Sequence, residues 1–156
     1  MKQRINYLEK GAGAVRAMYG LEVYLAKCSL DKQLLHLIKY RVSQINGCAY
    51  CLDMHSKDLR VGGETEQRLF CLDAWRETPF YTGRERAALA WAEAVTLITA
   101  GHVPDAVYEE ARKEFSEEEL IDLTTAVAAI NAWNRLAISF RSIPGTYQPA
   151  SHAATE

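Results

Sequence analysis

Residues 32–61 read KQLLHLIKYRVSQINGCAYCLDMHSKDLRV. In the first half, Leu34, Leu37, Ile38, Val42 and Ile45 recur at the spacing of a single helix face. The preceding Ser29-Leu30-Asp31 offers an N-cap. Asn46-Gly47 then reads as a turn or helix stop. A second helix is expected to begin around Cys48 and to end at Gly62-Gly63. The same pattern continues outward on both sides. Upstream, residues 13–28 place Val15, Met18, Leu21, Val23, Leu25 and Ala26 at roughly helical spacing. Downstream, ETEQRLFCLDAW (64–75) reads as one short helix stopped before Pro79. Thr82 and Glu85 form a capping-box signature ahead of a stripe of Ala87, Leu89, Ala90, Ala94, Leu97 and Ile98. Pro104 is expected in the first turn of a helix over 104–115. Ser116 and Glu119 open a long helix whose several faces are small and apolar, as suits a central or interface element. Strand signals are nearly absent. The expectation is an all-α bundle of about six to eight helices, one domain over residues 1–156, with 144–156 as a loop or frayed tail.

Composition narrows the function classes. A chain of 156 residues can close a real core without staples. Net charge is −2 and no basic stripe is visible, so nucleic acid is not an expected partner. The most apolar run, 120–140, is interrupted by Asp122, Asn131, Asn134 and Arg135, which a membrane span tolerates poorly. The opening MKQRINYLEKGAG is charged and lacks the apolar centre of a signal peptide. A soluble, cytoplasmic protein is expected. Its four cysteines, at 28, 48, 51 and 71, then read as catalytic or metal-binding thiols rather than a disulfide framework.

On a helix starting near Cys48, residues Cys48, Cys51 and His55 fall at i, i+3 and i+7 and share one face. Three readings compete. The thiols can be core filler, as cysteine often is; unpaired Cys28 and Cys71 fall to that reading. They can belong to a metal clamp, but structural zinc wants four ligands and no second pair exists, His36, His102 and His152 being scattered. Haem attachment is excluded because Leu52, not histidine, follows Cys51. Or they form a redox dithiol beside a proton-handling histidine. The unpaired amides and positive dipole end of the first helical turn favour thiolate there. That argument by itself makes Cys48 the more acidic thiol. His55 stands one turn beyond Cys51, close enough to take or relay its proton.

The wider surroundings bear on the choice. LIKYRVSQINGCAYCLDMHSKDLR (37–60) resembles the signature of the carboxymuconolactone decarboxylase superfamily, in its alkylhydroperoxidase D-like (AhpD-like) branch. The similarity extends through residues 63–96 and 129–139, and S-Q-x-N-G-C-x-x-C-x-x-x-H is far more restrictive than C-x-x-C. The resemblance implies a compact helical fold assembling into homo-trimers or homo-hexamers. It also implies thiol-dependent reduction of organic or hydrogen peroxides; no cofactor and, for want of a four-ligand set, no metal is expected. Carried over by position, Cys51 is the peroxidatic thiol, Cys48 the resolving one and His55 part of the proton relay. A lipoyl-bearing adaptor or a thioredoxin-like protein is the implied dithiol reductant. Where the family usually has a glutamate, twelve residues before the first cysteine, this chain has His36, which either joins the relay or packs beside the stripe. A thiol–disulfide partner or sensor without peroxidase activity is the alternative. Lactone decarboxylation is disfavoured, because that branch does not use the cysteine pair. Tyr19, Tyr24, Tyr40 and Tyr50 are expected as core aromatics and Glu93 as a surface charge. Asn131 and Asn134 need hydrogen-bond partners if buried.

Overall fold

A computed structural model describes residues 2–149. Its helices are α1 (Tyr7–Lys10), α2 (Ala12–Leu25), α3 (Lys32–Asn46), α4 (Ala49–Val61), α5 (Glu66–Cys71), α6 (Gly83–Thr96), α7 (Asp105–Glu114) and α8 (Glu117–Phe140). Short 3-10 turns cover 72–77 and 98–100, and no strand occurs among the described residues. None of these helices is long and apolar enough to cross a membrane.

The helices start and stop where their chemistry allows. Asp31 caps α3 by accepting from the Leu34 amide at 2.9 Å. Thr82 with Glu85 and Ser116 with Glu119 form complete capping boxes on α6 and α8. Pro104 is the N-cap of α7, one residue ahead of the expected first-turn position, with extended backbone at ψ 143°. The expected single helix over 64–75 is broken. Thr65 caps α5, but Ala74 leaves helical geometry at φ −106°, ψ 29°. Leu72 and Trp75 are buried on either side of it, and past the break Arg86 donates to the carbonyls of Trp75, Arg76 and Thr78, where the 3-10 turn ends.

Helices α3 and α8 form the centre. α3 packs on α4, α6 and α8, and α8 also packs on α2, α4, α6 and α7. Leu37, Ile38 and Val42 of the predicted α3 stripe are fully buried, together with Leu59, Leu72, Leu89, Leu123, Val127 and Ile130. α2 behaves differently. Of its stripe Val15 and Leu25 are buried, whereas Leu21 and Val23 stay exposed, as do Tyr19 and Tyr24, which were expected in the core. Tyr40 and Tyr50 are half-buried against the core.

Two further expectations are corrected. Glu93 is not a surface charge: its side chain is 13 % exposed and accepts from Arg41 (2.9 Å), Trp75 Nε1 (2.9 Å) and Arg76 (2.5 Å). Arg41, itself buried, also pairs with Asp73. The C-terminal segment is irregular, and it is docked at Gly145 and Tyr147 rather than frayed there. Gly145 N donates to Asp53, Lys57 donates to the Tyr147 carbonyl, and Tyr147 Oη donates to Asp58 at 2.7 Å. The rest of the expected tail, with His152, lies outside the described residues.

Candidate active site

The α3–α4 junction sets the position of both thiols. Gly47 adopts φ 67°, ψ 34°, the left-handed conformation that closes a helix, and the Cys48 amide bonds the Ser43 carbonyl at 3.0 Å. The chain can then restart immediately, with Cys48 as the N-cap of α4 and Cys51 in its first turn. Their Sγ atoms lie 3.0 Å apart as free thiols, and both residues are buried. The two thiols are hydrogen-bonded to each other, and once Cys48 is ionised the Cys51 thiol donates to it. That bond, helped by the Cys51 and Tyr50 backbone and by Asn134 and opposed by burial, lowers the Cys48 pKa to about 7. The same bond together with burial pushes Cys51 far above the ordinary thiol range. In the reduced pair the negative charge therefore rests on Cys48.

A buried polar cluster stands beside the sulfurs. Asn134 is fully buried, donates to Ser43 Oγ at 3.1 Å and accepts from Asn46 at 2.8 Å. Asn46 also donates to Asn131, which donates in turn to Thr96. Both asparagines thus have the partners that burial demands. Ser43 and Asn46 belong to the S-Q-x-N-G-C motif, but their closure onto α8 was not readable, because it depends on how two helices cross.

Cys51 opens onto a cavity of about 260 Å³ that it shares with His36 and His55. Tyr7, Tyr19, Tyr50, Met54, Ile130 and Trp133 supply most of the apolar wall. His55 is 5 % exposed, and neither ring nitrogen has a hydrogen-bond partner among the described residues. Burial, with Lys39 and His36 nearby, holds it well below the usual histidine range, so it is neutral at pH 7 and one ring nitrogen is a proton acceptor. His36 stands against it, ring centroids 5.8 Å apart, and burial lowers its pKa too, against the opposing pull of Asp58. All four expected site residues therefore gather at one place, with Cys51, His55 and His36 on the cavity and Cys48 behind Cys51. No hydrogen bond joins His55 to Cys51 in this arrangement.

Several residues of the site were missed at the level of sequence. Asp58 Oδ2 lies 3.8 Å from Nδ1 of both histidines. Lys39 is buried and bound to Glu22 at 2.5 Å, and Glu22 also accepts from Trp133 Nε1. The i, i+3 step from His55 to Asp58 was a usable signal; the arrival of Glu22 from α2 was not.

The carboxymuconolactone decarboxylase family model matches residues 11–94, and the chain belongs to that family. Among its relatives is the uncharacterised protein YdfG of Bacillus subtilis (strain 168), 45 % identical over 139 residues, which cover 89 % of this chain and 95 % of YdfG. A crystal structure from Agrobacterium tumefaciens, of a protein of unknown function linked to antioxidant defence as AhpD, superposes with a TM-score of 0.90 at 45 % identity. That match covers 94 % of this chain and all of the other. The fold here is AhpD-like. The debrominase Bmp8 shares it at a TM-score of 0.77 and 24 % identity, covering 88 % of this chain and 74 % of Bmp8, so the fold is not tied to one chemistry.

Proposed function

We propose that the protein is a thiol peroxidase that reduces organic hydroperoxides, and hydrogen peroxide less well, through Cys51 and Cys48. The observation that carries this reading is the buried pair of sulfurs 3.0 Å apart, one of them facing a mostly apolar cavity that also holds a neutral histidine. Cys51 is the attacking thiol because it is the cysteine on that cavity. Its proton passes to the Cys48 thiolate, or to His55 across one bridging water or the peroxide itself. The Cys51 thiolate then attacks the O–O bond, takes one oxygen as sulfenic acid and releases the alkoxide, which is protonated to alcohol. Cys48 displaces hydroxide from the sulfenic acid, giving water and the Cys48–Cys51 disulfide. An external dithiol, on a lipoyl-bearing or thioredoxin-like partner, returns both thiols by exchange and is itself oxidised. Apolar walls of Tyr7, Tyr19, Met54 and Trp133 favour an alkyl or aryl hydroperoxide. A reducing compartment, the cytoplasm, suits this cycle.

A second reading rests on the low pKa of Cys48, which suits a thiol–disulfide partner or sensor that exchanges with dithiols and ignores peroxides. Stopped-flow consumption of cumene hydroperoxide with a dithiol donor separates the two. The peroxidase reading expects saturable turnover, abolished in Cys51→Ser, with one sulfenic acid trapped per chain in Cys48→Ser. Dithiol exchange without peroxide consumption would establish the second reading instead.

A further inference from the structure

We infer that His36, His55 and Asp58 form a binding site for a zinc-class divalent ion beside the dithiol. α3 contributes one imidazole and α4 the other imidazole and the carboxylate, and one ligand atom from each lies within 4.8 Å of the other two. Asp58 Oδ2 is 3.8 Å from His36 Nδ1 and from His55 Nδ1. Those separations are too long for hydrogen bonds. They approach the roughly 3.4 Å that separates ligand atoms at tetrahedral angles around an ion about 2.1 Å from each. The widest pair has to close by roughly 1.4 Å to reach that spacing; His36, its side chain 35 % exposed, is the less enclosed of the two imidazoles.

The independent observation is the state of the nitrogens. His55 is more than nine-tenths buried, lines the cavity, and has no partner for either ring nitrogen among the described residues; His36 Nδ1 has none either. Leaving such groups unpaired in a buried setting is costly. An ion among them uses two nitrogens at once, whereas a proton serves one. Asp58 is also braced as metal-binding carboxylates are, because its other oxygen accepts from Tyr147 Oη at 2.7 Å. Lys39 faces the same cavity, but Glu22 binds it at 2.5 Å and offsets its charge. Two imidazoles and one carboxylate suit Zn2+, Co2+ or Fe2+ and not Mg2+. With three protein ligands, a coordination position stays open toward the cavity. An ion there occupies His55 and stops it from accepting a proton, so the bound ion slows thiol chemistry.

The test reads binding, not turnover, so it stands or falls apart from the peroxidase proposal. The dithiol can itself hold zinc and is removed first. Calorimetric titration of the Cys48→Ser/Cys51→Ser variant with Zn2+ should show one ion per chain, and Mg2+ should show no binding. Adding His36→Gln or Asp58→Asn should weaken Zn2+ at least about tenfold, while His36→Glu should keep it. In the same double variant, Co2+ should give a visible d–d spectrum that is lost on adding His36→Gln. The proposal is overturned by absence of saturable Zn2+ binding once the thiols are gone. It is equally overturned by affinity unchanged in both ligand variants, or by a Co2+ spectrum that His36→Gln leaves unaltered.

Discussion

Cys48 and Cys51 differ by three positions and by opposite electrostatic fates. One hydrogen bond between them lowers the first and raises the second. Thiolate absorbance of the wild-type protein is therefore expected to titrate near 7, and Cys51→Ala should move the remaining Cys48 transition toward the ordinary thiol value of about 8.5. An unmoved midpoint would place the cause in the helix terminus instead. His55 is neutral because it is buried, and that neutrality is what lets it accept a proton. His55→Gln should lower peroxide kcat/KM by about 10²–10⁴-fold, the usual worth of a positioned acid–base group, with the disulfide still able to form. Glu93 shows how far a residue's surroundings can override its type. Burial raises its carboxyl, but donors from Trp75, Arg76 and Arg41 outweigh that and hold it below the normal range. A depressed carboxyl stabilises the fold above its unfolded pKa, and that contribution is lost as pH falls through the lower folded value. Glu93→Gln should cost about 1.5–3 kcal/mol in urea unfolding at pH 7, because Arg41 loses a charged acceptor and keeps Asp73. The gap from wild type should narrow below pH 4.

At the α3–α4 junction, a single left-handed residue decides where two sulfurs go. Gly47 at φ 67° lets one helix end and the next begin with Cys48 as its cap. Nothing lies within 4 Å of a Cβ built at Gly47, so the cost of a side chain there is conformational rather than steric. Gly47→Ala should lose about 1–2 kcal/mol, measured by chemical denaturation, and should slow disulfide closure as the junction relaxes. The break after α5 has the opposite origin. Nothing in LFCLDAW forbids a continuous helix. The turn beyond Ala74 is held by Arg86 of α6, which donates to the carbonyls of Trp75 and Arg76 and becomes a neighbour only when the chain is folded.

Across the whole molecule, α2 leaves Tyr19, Val23 and Tyr24 about half exposed, and Tyr24 bonds Asp122 of α8 next to the exposed Ile121. An apolar face of this kind is a candidate seat for a second copy of the chain. The proposed assembly is a homo-trimer or homo-hexamer, and light scattering should return one of those masses, with Val23→Asp shifting it downward; a monomer at all concentrations would refute it. The helix content, both capping boxes, the α3 stripe and the dithiol motif were legible in the amino-acid order, because each rests on residues within four positions of one another. The burial of Glu93, the Asn46–Asn134–Ser43 cluster, the break at Ala74 and the meeting of His36 with Asp58 were not, because each joins side chains whose separation is set only when helices pack. Local periodicity and capping determine which segments become helices and which cysteines face each other. Close packing between distant segments decides which charges are buried and which acceptors stay unpaired, since burial and dielectric belong to the folded volume and not to any stretch of chain.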